Sequence, residues 1–190
     1  MAQVTPADFS FRPAKNTGLS AAERQWMQVE RTNAGDNSYY LDEQHLAEEI
    51  ATWVFPLHFI DFETSMVAVP FHKGRHPYEG IAFQFSHHTV FADGTVEHTG
   101  EFLEIRPGVF PNYEFLRALK KELENDKGSV FRYAAHENSY LNLIYQQLAQ
   151  EGSRVADRRE LMAFIKTITI AGKSSPEQWH GERSMIDMCE

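Results

Sequence analysis

The chain has 190 residues, of which 42% are hydrophobic and 24% are charged, and its formal net charge is -9. This length suits one domain with a hydrophobic core, and the composition excludes a disordered chain. The acidic total disfavours a protein that binds nucleic acid through basic charge alone, although bound divalent metals can supply positive charge. One cysteine, Cys189, excludes an internal disulfide. No apolar run reaches the roughly 18 residues of a membrane span, so we expect a cytoplasmic protein that makes no membrane contact.

Residues 1–40 are predicted to be an N-terminal arm with one short helix, and residues 41–190 to be the domain. Ser20 and Glu23 have the spacing of a capping box, which predicts that the helix of the arm begins there. A second helix is expected over Leu41–Trp53, where apolar residues recur at helical spacing.

The rest of the domain is predicted from hydrophobic periodicity and turn residues. Asp93-Gly94 is a hairpin signal that joins two alternating strands. In chain order we expect strands over 56–64, 80–91 and 96–105, a helix from 111 to about 125, a strand over 129–135, a helix ending at 152, a helix over 157–168, and a further element from 184. A hairpin group followed by alternating strands and helices predicts an α/β fold, a mixed sheet flanked by helices.

The sharpest local feature is Asp61-Phe62-Glu63 near the end of an apolar strand. Residues two apart in a strand point to the same face, so Asp61 and Glu63 are expected to present two carboxylates together. Hard cations such as Mg²⁺ or Mn²⁺ prefer oxygen ligands of this kind. The alternative is a solvated strand face with two unrelated acids. The apolar neighbours favour metal binding, because paired like charges near a core are costly without a counter-ion.

A second candidate lies where a strand gives way to a helix, at His136-Glu137-Asn138. Open α/β sheets usually form their sites at strand ends, so Glu137 is expected to approach the first pair of carboxylates. The alternative is that Glu137 only complements the dipole of the helix N-terminus.

Several short segments of the sequence resemble a known superfamily and one family within it. Phe59-Ile-Asp-Phe-Glu-Thr resembles the first exonuclease motif of the DEDD, ribonuclease-H-like superfamily, and Ala135-His-Glu with Leu141 resembles its second motif. Together with Ala82-Phe-Gln-Phe-Ser-His-His, Phe110-Pro-Asn and Tyr133-Ala-Ala-His-Glu-Asn, they are similar to the bacterial family named domain of unknown function 2779. The resemblance runs from about Leu19 to the end of the chain.

This resemblance implies a ribonuclease-H-like fold and a 3′–5′ exonuclease that hydrolyses the phosphodiesters of DNA or RNA with two divalent ions, Mg²⁺ or Mn²⁺. Asp61 would bridge both metals, Glu63 would help to hold the metal on the nucleophile side, and Glu137 would ligate the second. His136, Asn138 and Asp187 are supporting candidates. The family also implies a further nuclease-like domain upstream in a longer parent protein.

The superfamily's final motif, a His or Tyr a few residues before a fourth carboxylate, has no counterpart before Glu190. We therefore expect a C-terminally truncated chain in which Asp187 substitutes only in part. The alternative function is a catalytically inactive module that keeps the fold and binds nucleic acid or serves a structural role.

Two further features give weaker predictions. A loop after the first motif combines basic and aromatic residues, and Lys73, Arg75 and Tyr78 are predicted to contact nucleic acid by charge and stacking, or else to be plain surface. Histidines offer a rival function, a zinc hydrolase. The histidines considered are His72, His76, His87, His88 and His136.

Overall fold

The structure, a computed structural model, describes residues 5–10, 18–173 and 175–189. The chain divides into two compact units, Met1–Thr52 and Trp53–Glu190. The division therefore falls later than the domain boundary expected after residue 40, and the second helix belongs to the first unit. In the described residues, no helix is both long and apolar enough to cross a bilayer.

The first unit contains helices α1 (Ala21–Ala34) and α2 (Glu43–Ile50). The predicted capping box is confirmed, because the Ser20 hydroxyl accepts from the Glu23 N–H and the Ser20 N–H donates to the Glu23 carboxylate at 2.7 Å. Helix α1 ends at Gly35, whose φ of 67° suits a residue without a Cβ. Asp42 caps α2 by accepting from the His45 N–H.

The second unit is built on a five-stranded mixed sheet in the order β3-β2-β1-β4-β5. Strand β2 runs antiparallel to β1 and β3, whereas β1, β4 and β5 run parallel. The predicted α/β fold with a mixed sheet is confirmed. The strands are β1 (Leu57–Ser65), β2 (Ile81–Val90), β3 (Val96–Leu103), β4 (Val130–Arg132) and β5 (Ile186–Asp187).

Three helices complete this unit: α3 (Asn112–Leu123), α4 (His136–Glu151) and α5 (Arg158–Ile168). The apolar stripe of α3 is fully buried, and it packs against β2 and β3. Phe115 makes edge-to-face contacts with Phe62 of β1 and Phe85 of β2, with ring centroids 4.8 and 5.4 Å apart. The helices therefore anchor one face of the central strands.

This core fixes which residues of β1 face solvent. Ile60 and Phe62 are buried in the core, and Asp61 and Glu63, on the alternate positions, are exposed. The prediction that the two acids share the non-core face is confirmed by this alternation.

Strand β4 is shorter than the predicted strand over 129–135. It ends at Arg132 because the chain turns through Ala134, whose φ is 64°, and α4 begins at His136. At its other end, Gly128 approaches Pro56 so closely that a Cβ there would lie 1.8 Å from the Pro56 carbonyl oxygen. Glycine is required at this position because any side chain would displace the backbone beside β1.

Candidate functional site

Three acidic residues lie at or beyond the point where the parallel pairing of β1, β4 and β5 ends. Asp61 lies two residues beyond Phe59, which is in register with Phe131 of β4, and Asp187 is in register with Arg132. Glu137 lies in the first turn of α4, a few residues beyond the end of β4. Carboxyl ends of parallel strands meet at the same edge, so the topology brings these acids toward one place.

Glu137 is the most unusual of these acids. Its side chain is 2% exposed, and its Oε2 atom has no hydrogen-bond partner. Burial raises the pKa of Glu137, and the negative charge of Asp61 acts in the same direction, whereas His136 and Arg132 oppose it. The charge of Asp61 therefore acts on Glu137 through space, and the convergence of the two carboxylates on one metal stays a prediction.

Arg132 and Asp187 hold the turn that leads into Glu137. The guanidinium and the carboxylate form an ion pair of 2.8 Å, and Arg132 also donates to the Ala134 carbonyl. Asp187 Oδ1 accepts from the N–H groups of Ala134 and Cys189 at 3.0 and 2.9 Å. Asp187 is thus a positioning residue. Arg132 was not predicted as a site residue, although a charged residue within an apolar strand indicates a buried ion pair.

The donor set has the chemistry that a hard divalent cation prefers, carboxylate oxygens with one of them buried and unpartnered. Asp61 and Glu63 are exposed, and neither side chain makes a hydrogen bond or ion pair with the described residues. Among those residues, however, no group of three or more His, Cys, Asp or Glu side chains is assembled to hold a metal. Asp61 and Glu137 therefore fit a cation by charge and burial, and a third ligand such as Glu63 would have to move to join them.

The two supporting candidates on α4 are engaged by other parts of the fold. His136 Nε2 lies 3.1 Å from the Thr64 hydroxyl, and its ring packs against Tyr140. The Asn138 amide donates to the Ile170 carbonyl and accepts from the Ile170 N–H, at 3.0 and 2.9 Å. Asn138 therefore fastens the segment after α5 to α4, and its supporting role in the site stays a prediction.

The chain matches the model of one known protein family. The family model for the domain of unknown function (DUF2779) matches residues 58–181, which is more than half of the chain. The chain belongs to the DUF2779 family. No curated protein and no solved structure matches it. The matched range contains Asp61, Glu63 and Glu137, whereas Asp187 lies beyond it.

Within the DUF2779 domain, the histidines considered for zinc do not come together. His87 Nε2 lies 2.9 Å from His58 Nδ1 at the start of β1, whereas His136 contacts Thr64 near its end. Six residues of strand separate these points, which is about 20 Å. His72 packs against Phe110 in a loop after β1.

The basic loop of the DUF2779 domain is only partly available to a ligand. Arg75 pairs with Glu79 at 3.2 Å and with Glu151 at 2.9 Å, and its guanidinium lies 3.6 Å from the centre of the Phe110 ring. The charge of Arg75 is therefore balanced by two carboxylates of the chain, and its contact with nucleic acid stays a prediction. Lys73 and Tyr78 are exposed.

An apolar cavity of about 540 Å³ lies beside the end of β1. Ser65, two residues beyond Glu63 on the same strand, is part of its wall, together with Ile81, Phe83 and Ile105. The unpartnered Nδ1 atom of His72 belongs to a residue that also borders it. The cavity could not be predicted from the sequence because its walls come from β1, β2 and two separate loops.

Proposed function

We propose that this chain carries a metal-dependent nuclease site of the DEDD, ribonuclease-H-like kind that hydrolyses the phosphodiesters of nucleic acid. The observation that carries the proposal is the Glu137 carboxylate, which is buried, has an unpartnered oxygen and neighbours the charge of Asp61. Two acids in this arrangement repel each other, and a bound divalent cation would relieve that repulsion.

Asp61 and Glu137 are the proposed metal ligands. Glu63, two residues after Asp61 on the same face of β1, is proposed as a third ligand. Mg²⁺ or Mn²⁺ held there would activate water and stabilise the leaving oxygen of a phosphodiester. The protein's own contribution is to place the carboxylates. Arg132 and Asp187 hold the turn before α4, and Glu137 lies in the first turn of that helix.

Nucleic acid, either DNA or RNA, is the proposed substrate. Exposed Lys73 and Tyr78 lie in the loop that follows β1 and are proposed to contact a phosphate and a base. The apolar cavity beside Ser65 is proposed to take a base next to the carboxylates. The alternative, an inactive module with this fold, is favoured by one observation, the lack of a ready group of three metal ligands in the described residues.

Metal binding is tested first, by calorimetric titration of the whole chain with Mn²⁺. We expect Asp61→Asn and Glu137→Gln each to weaken binding at least tenfold, and Glu63→Gln to weaken it less, because Glu63 must move to reach the ion. Glu97→Gln, which removes an exposed carboxylate from β3, is the matched control and should leave binding unchanged. Equal affinity in all four variants would refute the assignment of these ligands.

Hydrolysis is tested with end-labelled single-stranded DNA and RNA in the presence of Mn²⁺. The proposal expects shortening from the 3′ end that disappears in Asp61→Asn and persists in Glu97→Gln. Metal and nucleic-acid binding without any shortening would establish the inactive module. Neither binding nor shortening would reject a nucleic-acid function for this site.

A further inference from the structure

Two exposed histidines face each other across the outer strands of the sheet. His88 of β2 is paired with His98 of β3, and the His88 Nε2 and His98 Nδ1 atoms are 3.3 Å apart. Their ring centroids are 4.7 Å apart and the rings are inclined at 64°. Two nitrogens bound to one tetrahedral zinc ion at its usual bond length lie about 3.3 Å apart. The pair therefore already has the spacing of a chelate.

A β-bulge creates this pairing. His87 is in register with Gly100, whereas His88 is in register with His98, so Thr99 is the extra residue. The Thr99 hydroxyl bonds to the buried Thr89 hydroxyl at 2.7 Å, which anchors the bulge on the core side of the sheet. Because of the extra residue, His98 and Glu101 come to the same face although they are three positions apart.

Glu101 favours the tautomer of His98 that can bind a metal through Nδ1. Its Oε2 atom lies 3.3 Å from His98 Nε2, so this nitrogen carries the hydrogen and donates to the carboxylate. In a neutral ring, the lone pair is then on Nδ1, which is the atom that faces His88. A carboxylate behind a metal-binding histidine is the usual arrangement for fixing its tautomer and orientation.

We propose that His88 and His98 form a binding site for a borderline divalent metal ion such as Zn²⁺, with Glu101 as the positioning residue. In the free protein, His88 Nε2 donates to His98 Nδ1. When the metal binds, the hydrogen of His88 passes through solvent from Nε2 to Nδ1 and Nε2 becomes a ligand, so the neutral rings release no net proton. Two protein ligands leave open coordination positions for water or an anionic group.

This site differs in chemistry from the carboxylates of the proposed nuclease site. Imidazole nitrogens favour Zn²⁺, Ni²⁺ or Cu²⁺, whereas oxygen ligands favour Mg²⁺ and Mn²⁺. His88 is in register with Phe59 of β1, two positions before Asp61, so the two sites share a sheet face but no ligand. The histidine pair can therefore bind its metal whether or not the nuclease proposal holds.

The test is a calorimetric titration of the whole chain with Zn²⁺ in excess Mg²⁺, which occupies carboxylate sites. We expect His88→Ala and His98→Ala each to weaken zinc binding at least tenfold, and Glu101→Gln to weaken it about tenfold. His180→Ala removes an exposed histidine outside the pair and is the control. All four residues are exposed, and circular dichroism will verify that each variant is folded.

Loss of binding in both histidine variants, with His180→Ala unchanged, supports the site. The site is refuted if the wild-type chain binds no zinc, or if His88→Ala and His98→Ala bind it as tightly as the wild type does. Unchanged affinity in Glu101→Gln would overturn the positioning role of Glu101. The nuclease proposal fails by a different measurement, because it depends on Mn²⁺ binding at Asp61 and Glu137.

Discussion

The Arg132 guanidinium and the Asp187 carboxylate form an ion pair of 2.8 Å in which both side chains are about nine-tenths buried. The pair joins β5 to β4, and the same carboxylate accepts from the Ala134 N–H in the turn before α4. The start of α4, with Glu137 in its first turn, thus depends on a residue that lies 50 positions later than Glu137 in the chain.

Asp187→Asn should lower the free energy of unfolding by about 3 kcal/mol, because it leaves the buried Arg132 charge without its counter-ion. Urea denaturation measures this change. The matched control is Glu182→Gln, whose partner Lys127 lies 3.8 Å away with both side chains largely exposed. That control should change stability by less than about 1 kcal/mol. Equal effects of the two substitutions would show that the Arg132 pair has no special role.

Glu137→Gln should raise the free energy of unfolding by about 1 kcal/mol, because it removes a buried charge beside Asp61 and keeps the side-chain shape. The same substitution should weaken Mn²⁺ binding, so stability and binding change in opposite directions. Glu63→Gln, at an exposed position, should leave stability within about 0.5 kcal/mol. A Glu137→Gln variant that is less stable than the wild type would mean that the carboxylate has a structural partner.

Asn112 joins α3 to β2 and α4 through a fully buried amide. Its Oδ1 accepts from the Ala82 N–H at 2.9 Å, and its Nδ2 donates to the Gly80 carbonyl and the Gln147 side chain. Asn112→Ala should lower the free energy of unfolding by about 2–4 kcal/mol, because these buried groups lose their partner. Asn125→Ala, at an exposed position, is the control and should cost less than about 1 kcal/mol. Thermal or urea unfolding measures the stability change of each of the two variants.

Acid should destabilise the fold through the buried His87, which lies beside His58. Burial, with the adjacent His58, lowers the pKa of His87 below its ordinary value of 6.5, although Glu122 at 3.5 Å opposes this. The unfolded chain therefore binds a proton at higher pH than the folded chain does, so stability falls as the pH drops below about 6.5. The maximum slope is about 1.4 kcal/mol per pH unit for one proton.

The test compares unfolding free energies at two pH values, one above and one below 6.5. His87→Gln should lose less stability on acidification than the wild type, whereas His180→Gln, at an exposed position, should lose as much. The same acid loss in wild type and His87→Gln would contradict the prediction. The charged groups that face the pair are Glu122, Asp126, which lies 2.9 Å from His58, and Arg183, which lies 3.2 Å from Asp126.

The sequence predicted most of the elements and one half of the candidate site. The capping box at Ser20, the hairpin at Asp93-Gly94 and the buried stripe of α3 were correct because they depend on residues close together in the chain. The shared face of Asp61 and Glu63 followed from the two-residue period of a strand. The end of β4 was misplaced, because Ala134 has no side-chain feature that announces a positive φ.

Contacts between residues that are far apart in the chain determined the features that the sequence did not predict. Arg75 was predicted to contact nucleic acid and Asn138 to support the metal site, and in the fold they bind Glu151 and Ile170, which are far away in the chain. The basic loop therefore supplies less free positive charge to a nucleic acid than its composition indicates.

The sequence alone determined the acidic composition, the periodicity and the placing of two carboxylates on β1, because these follow from neighbouring residues and strand geometry. Tertiary structure decided that Glu137 is buried and that Asp187 pairs with Arg132. It also decided that a bulge places His98 opposite His88. The reason is physical: burial and charge pairing depend on which distant segments meet, and only the sheet order β3-β2-β1-β4-β5 brings these segments together.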